Sequence, residues 1–205
     1  MKDHIPDLLK SYYSEKLKLH GPNYKGADWG SLLAQQISFD QLSRIVSPGS
    51  SILDYGCGYG GFYDYLLEKD LNINYTGYDI SEEMINHAKS LHPTGPSWIS
   101  ELPENVLFDH VIACGIFSVK LDVPHSDWEE HTLQTLNKLN ALSKKGFAFN
   151  SLTSYSDVHL MKDHLYYPDP CFLFDYCKKH FSRYVSLIHD YPKYEFVIMV
   201  RKEPA

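Results

Sequence analysis

Residues 51–61 read SILDYGCGYGG and carry Asp54 two positions before Gly56, with Gly56, Gly58 and Gly61 spaced as G-x-G-x-x-G after an apolar run. Glycines at a strand-to-helix turn let the backbone approach a ligand, and the helix that follows aims its free N–H groups at it. A carboxylate at position 54 suits a ligand ammonium and repels a pyrophosphate. A second acid, Asp79, closes the next apolar run and can accept hydrogen bonds from both hydroxyls of a ribose. The set predicts a nucleoside-bearing ligand whose other end is cationic.

Other chemistry is poorly supported. Cys57, Cys114, Cys171 and Cys177 lack C-x-x-C spacing, and none of the eleven histidines forms H-x-x-x-H or H-E-x-x-H. Reduced thiols and no metal site are expected. Cys57 reads as a small residue tolerated in the turn rather than a nucleophile. Nineteen Lys and Arg against twenty-six Asp and Glu give a net charge of −7, the wrong sign for gripping a nucleic acid. The first residues, MKDHIPDLLK, break up the apolar core that a signal peptide needs, and no apolar run reaches membrane-spanning length. A cytoplasmic protein acting on a small molecule, with neither nucleic-acid nor membrane partner, is the expectation; the sequence is silent on oligomeric state.

The elements that would position these residues alternate. Residues 51–55 read as a strand, 60–69 as a helix with Phe62, Tyr65 and Leu66 on one face, and 73–79 as a second strand. A helix capped by Ser81 follows, then a short third strand at 96–100 and a fourth at 108–115, apolar on both faces as a buried parallel strand is. Ser126 and Glu129 form a capping box for the next helix, and 145–152 reads as a fifth strand. This order predicts an α/β fold, a mostly parallel sheet with helices on both faces. Residues 169–181 look helical, and 183–202 read as two strands joined at Tyr191, Pro192 and Lys193. With no helix between them, these last strands must run antiparallel. Two helical stretches, 7–22 and 31–49, precede the alternation. The expected organisation is one domain over 1–205, with 1–49 as a helical cap or lid and 50–205 as a Rossmann-like core.

A glycine-rich turn serves both NAD and S-adenosylmethionine (SAM). Asp54 and the terminal hairpin favour SAM; Asp79 suits either. In these residues the chain resembles the class I SAM-dependent methyltransferases, through ILDYGCGYG, YTGYDIS and FDHVIACGIF. The resemblance implies a seven-stranded sheet with an antiparallel last strand, SAM as cofactor and S-adenosylhomocysteine (SAH) as product. It further implies Asp54, Gly56, Cys57 and Gly58 around the methionine end, Asp79 on the ribose and Ile80 against the adenine face. Ser100, Glu101 and Leu102 would lie at the adenine edge, and Cys114 and Gly115 beside the transferred methyl. Residues 101–107, ELPENVL, stand where a long helix is usual. The alternatives are an NAD(P)-dependent oxidoreductase, which leaves Asp54 and the hairpin unexplained, and a non-catalytic protein of the same fold.

The acceptor side is less defined. The D/N-P-P-Y-like motif of nucleobase amino-methyltransferases is missing after the fourth strand, where this chain has Ala113-Cys114-Gly115-Ile116. Together with the acidic balance, this favours transfer to O or N of a small molecule. Of the sixteen tyrosines none lies between Asp79 and Ser154; many sit in the cap and in the segment after the fifth strand. Tyr13, Tyr24, Tyr167 and Arg183 are the expected acceptor-side residues, Arg183 as an anchor for an anionic acceptor or a phosphorylated amine. Where the acceptor is a hydroxyl, His125 or His131 is the candidate base, with Tyr13 as a further catalytic candidate.

Overall fold

The computed structural model describes residues 4–204. Its strands are β1 (Ser51–Tyr55), β2 (Asn74–Tyr78), β3 (Ser97–Ile99), β4 (Phe108–Ala113), β5 (Ser143–Leu152), β6 (Tyr184–Ile188) and β7 (Glu195–Arg201). They form one sheet in the order β3-β2-β1-β4-β5-β7-β6. All pairings are parallel except those of β7, which runs antiparallel to both β5 and β6. The terminal hairpin thus supplies the antiparallel strand that the sequence required.

Alternation along the strands sorts the core into two layers. Ile52, Tyr75, Ile112, Ala148, Val197 and Met199 point to one face and pack under α2 (Leu32–Ser43), α3 (Gly61–Glu68) and α4 (Glu82–Leu91). Leu53, Val111, Phe147, Phe149, Ile198 and Val200 point to the other, under α5 (His125–Leu142) and α6 (Pro170–His180). Both faces are covered, which is why the central strands carry apolar residues on both faces.

Local chemistry fixes the helix starts. Ser31, Ser81 and Asp169 each accept a hydrogen bond from a backbone N–H of the first turn, those of Ala34, Met84 and Cys171. The capping box expected at Ser126 and Glu129 does not form. α5 begins two residues earlier, at His125 after Pro124, with no side-chain cap, so Ser126 and Glu129 already lie inside the helix. Between β3 and β4 the chain has no helix.

The cap is α1 (Ile5–His20) with α2. Near its start α1 packs Ile5 and Leu9 on Val123, Trp128 and Tyr166, beside α5. Near its end Tyr13 and Leu17 pack on Tyr59 and Met84, beside the glycine turn and α4. The helix therefore spans the C-terminal edge of the parallel strands, where ligands bind in open α/β sheets.

Candidate active site

The glycine turn is tied to the neighbouring strand by its own backbone. The N–H groups of Gly56 and Cys57 both donate to the Tyr78 carbonyl, at 2.7 and 2.9 Å. Gly56 has φ +84°, and a Cβ there would lie 2.4 Å from Ile116 Cγ2. Gly58 has φ +54°, and a Cβ there would meet nothing within 4 Å, so its missing side chain leaves room for a ligand. Its N–H donates to Asp79 Oδ2 at 2.9 Å, while Asp79 Oδ1 accepts from Ser81 N–H at 2.8 Å. Each Asp79 oxygen keeps a free lone pair. Burial raises the Asp79 pKa, and the two backbone hydrogen bonds oppose that rise.

Asp54 is 1% exposed. Its Oδ2 accepts a short hydrogen bond from the Tyr75 hydroxyl, and its Oδ1, also buried, has no partner. Burial pushes the carboxyl up to about 7; the Tyr75 bond works against this and the Asp79 charge adds to it. An unpaired buried carboxylate oxygen beside a glycine turn needs a donor, and a ligand ammonium provides one. The thiols of Cys57 and Cys114 are pushed up by burial and are not nucleophiles.

These groups open onto a cavity of about 810 Å³. Its roof includes Tyr12, Tyr13 and Lys16 of α1, and Asp28 and Trp29 of the loop before α2. Asp28, held in the left-handed region at φ +60°, accepts from the Tyr12 hydroxyl and from Lys16 Nζ, both at 2.6 Å. The cavity wall at the end of β4 is Cys114, Gly115 and Ile116, and Trp29 packs so closely on Gly115 that a Cβ there would be 3.0 Å from the indole.

Beneath Trp29 lies a buried polar network. Lys193 Nζ sits 4.5 Å from the indole centroid, pairs with Glu195 Oε1, and donates to Ser38 Oγ at 2.6 Å and to the Ala34 carbonyl at 2.9 Å. Glu195 Oε2 accepts from Ser38 Oγ and Asn150 Nδ2, each at 2.9 Å, and Asn150 Oδ1 accepts from Gly115 N–H at 2.7 Å. The cap, the terminal hairpin and the end of β4 are locked together at one point. Sequence reasoning passed over this network because Ser38, Asn150 and Glu195 are far apart along the chain. The available signal was Glu195 itself, a charge heading the apolar run Phe196–Val200.

Of the residues expected at the site, the structure gathers Asp54, Gly56, Cys57, Gly58, Asp79, Ile80, Cys114, Gly115, Tyr13 and His131 around this cavity. Burial, then the Lys138 charge, lowers the His131 pKa, so its imidazole is neutral near pH 7. Ser100, Glu101 and Leu102 are outside the lining; Leu102 packs instead against the core layer under α5 and α6. His125 is exposed at the start of α5, its ring against Tyr166. Tyr24 lies outside the lining, and the Tyr167 hydroxyl accepts from the Lys162 N–H. Arg183 is exposed beside the outer strand β6, donating to the Tyr184 hydroxyl, so the anion anchor expected of it is not at the cavity. Among the described residues no group of three or more His, Cys, Asp or Glu could hold a metal ion, and no helix is long and apolar enough to cross a membrane.

The chain is similar to known proteins in sequence and in fold. A family model described as a methyltransferase domain matches residues 53–147. The protein "Putative methyltransferase Rv1506c" of Mycobacterium tuberculosis is 47% identical over 164 residues, covering 78% of this chain and 98% of that protein. In fold, the chain is similar to the 1,6-didemethyltoxoflavin-N1-methyltransferase of Burkholderia thailandensis, solved with 1,6-didemethyltoxoflavin and SAH (TM-score 0.68, 17% identity, 100% of this chain and 91% of that one). It is also similar to the plantazolicin methyltransferase BpumL, solved with a pentazolic desmethylPZN analogue and SAH (TM-score 0.63, 14% identity, 99% and 100%). With its sheet order, its glycine turn and a relative this close over nearly the whole of that relative's length, the chain belongs to the SAM-dependent methyltransferase family.

Proposed function

We propose that this chain transfers the methyl group of SAM to an oxygen or nitrogen of a small-molecule acceptor, with residues 1–205 acting as one domain and 1–49 as its lid. The observation that carries the reading is the unpaired, buried Oδ1 of Asp54 at the glycine-turn end of a large roofed cavity. The residues fit the cofactor: Asp54 receives its ammonium, Asp79 its ribose hydroxyls, and Ile80 packs against its base. Bound there, SAM supplies a methyl on an already activated sulfonium leaving group. The protein's task is then alignment and exclusion of water. Trp29, held by Lys193 against Gly115, shapes the wall beside which transfer takes place. Tyr13 and Tyr12 close the roof.

Transfer to a hydroxyl or to an amine leaves a proton to be removed from the acceptor. The neutral His131 imidazole is the cavity group suited to take it. The two methyltransferases of similar fold were solved with 1,6-didemethyltoxoflavin and with a desmethylPZN analogue beside SAH, which supports the acceptor class. The test is SAH release from SAM across small amines, phosphoamines, phenols and hydroxy acids. Turnover of one class that is lost in Asp54→Asn supports the reading. Turnover of none of them, with SAH bound tightly, would leave a cofactor-binding protein without this activity.

A further inference from the structure

The cavity has four lysines, and they fall into two kinds. Lys16 is spent on Asp28 at 2.6 Å, and Lys193 is spent on Glu195, Ser38 and the Ala34 carbonyl. Lys138 and Lys162 also line the cavity, and the Nζ of neither makes a hydrogen bond or ion pair with any described residue. The acids divide in the complementary way. Asp28 and Glu195 are the partners of the spent lysines, and Asp54 and Asp79 belong to the glycine turn. Outside the cofactor end, the unpaired charge that the described residues bring to the cavity is therefore all positive, in a chain whose net charge is −7.

Lys138 does not stand alone. His131, Thr135 and Lys138 follow one another at i, i+4 and i+7 along α5, so one stripe of that helix faces the cavity. Thr135 is 5% exposed, and its hydroxyl has no hydrogen-bond partner among the described residues. Lys138 acts electrostatically on His131, which places the two within reach of each other. Lys162 and His164 enter from the segment after β5, which is fixed to the loop after β4 by backbone bonds from Lys120 and Leu121 to the His164 carbonyl, both 3.0 Å. Every polar side chain on these two walls can donate, and none is a carboxylate.

We infer that the acceptor carries an oxyanion, a carboxylate or a phosphate ester, and that Lys138 and Lys162 with the Thr135 hydroxyl receive it. This rests on the methyltransferase reading above and names its substrate class. It replaces Arg183, which lies outside the lining, with two lysines that are also exposed but line the cavity.

The experiment separates the two claims. SAH is titrated first into the wild-type chain by calorimetry. The SAH-saturated protein is then titrated with benzoate, phenyl phosphate and the uncharged benzamide, at ionic strengths of about 50 and about 300 mM. The inference predicts that at least one of the two anions binds about tenfold or more tightly than benzamide at low salt, with a smaller margin at high salt. Benzoate or phenyl phosphate as the tighter of the two assigns the oxyanion. In Lys138→Met/Lys162→Met, SAH affinity stays within about twofold and the preference for anions disappears. Failure to bind SAH overturns the methyltransferase reading and this inference with it. SAH binding with no preference for either anion, or a preference that survives in the double variant, overturns this inference alone.

Discussion

Asp79 and Gly58 are bound to each other: the glycine N–H donates to Asp79 Oδ2 at 2.9 Å, across the gap between the ends of β1 and β2. The carboxylate that is to hold the ribose thus also shapes the turn that is to pass beneath the ligand. Asp79→Asn keeps one acceptor oxygen but turns an NH2 group toward either Gly58 N–H or Ser81 N–H. SAH binding should weaken by about 1.5–3 kcal/mol, the scale of a lost charge-assisted hydrogen bond. A titration showing unchanged affinity would remove Asp79 from the site.

Asp54 makes binding depend on pH. Its carboxyl titrates at about 7 in the folded chain against an ordinary 3.8. A raised acid pKa means that the folded chain holds a proton, between these two values, that the unfolded chain has lost. The contribution of this group to stability is therefore most favourable below about pH 4 and declines as pH rises through about 7. A ligand ammonium favours the ionised form, so binding expels that proton. SAH affinity should rise about tenfold per unit as pH increases toward 7 and level off above it. Calorimetry at about pH 6 and about pH 8 checks this; Asp54→Asn should bind weakly with a flat profile.

The two turn glycines should fail differently. Gly56→Ala drives a methyl to within 2.4 Å of Ile116 Cγ2 at φ +84°, so it should lower stability as well as binding. Gly58→Ala meets open space and should cost stability only about 1 kcal/mol from its positive φ. Its SAH affinity should nevertheless fall steeply, because the methyl occupies the ligand's approach. Urea melts and SAH titrations on both variants separate the effects; full SAH affinity in Gly58→Ala would show that the ligand does not pass there.

Lys193 and Glu195 are 11% and 9% exposed. Lys193→Met leaves Glu195 buried without its cation and should destabilise the chain by about 3–5 kcal/mol. The double variant Lys193→Met/Glu195→Gln has no stranded charge and should lose less. Equilibrium denaturation gives both numbers, and a single variant as stable as wild type would mean that water replaces the pair.

Much of the fold was legible because each strand wrote its burial into its own residues. Val111 to Ala113 puts apolar side chains on both faces of β4, which proves to be central; the hairpin around Pro192 had no helix to bring its second strand back parallel, and β7 is antiparallel. The grouping of Asp54, the turn glycines and Asp79 was equally legible, since they lie within or next to two adjacent strands. Long-range partnerships were not. Nothing near Asp54 in sequence announces Tyr75, and Trp29 meets Gly115 only through the cap. Arg183 was misplaced because counting arginines says nothing of side-chain direction, and it sits beside the outer strand of the sheet. The capping box failed because Pro124 starts the helix early enough to absorb its residues.

A calorimetric titration of the wild-type chain with SAH and, separately, with NAD decides which nucleotide the glycine turn serves. The glycine-turn site predicts SAH binding at micromolar affinity or better and no measurable heat from NAD, because Asp54 has an unpaired oxygen for an ammonium and would face a pyrophosphate with like charge. Tight NAD binding, or no binding of SAH, would mean that the glycine turn does not serve SAM.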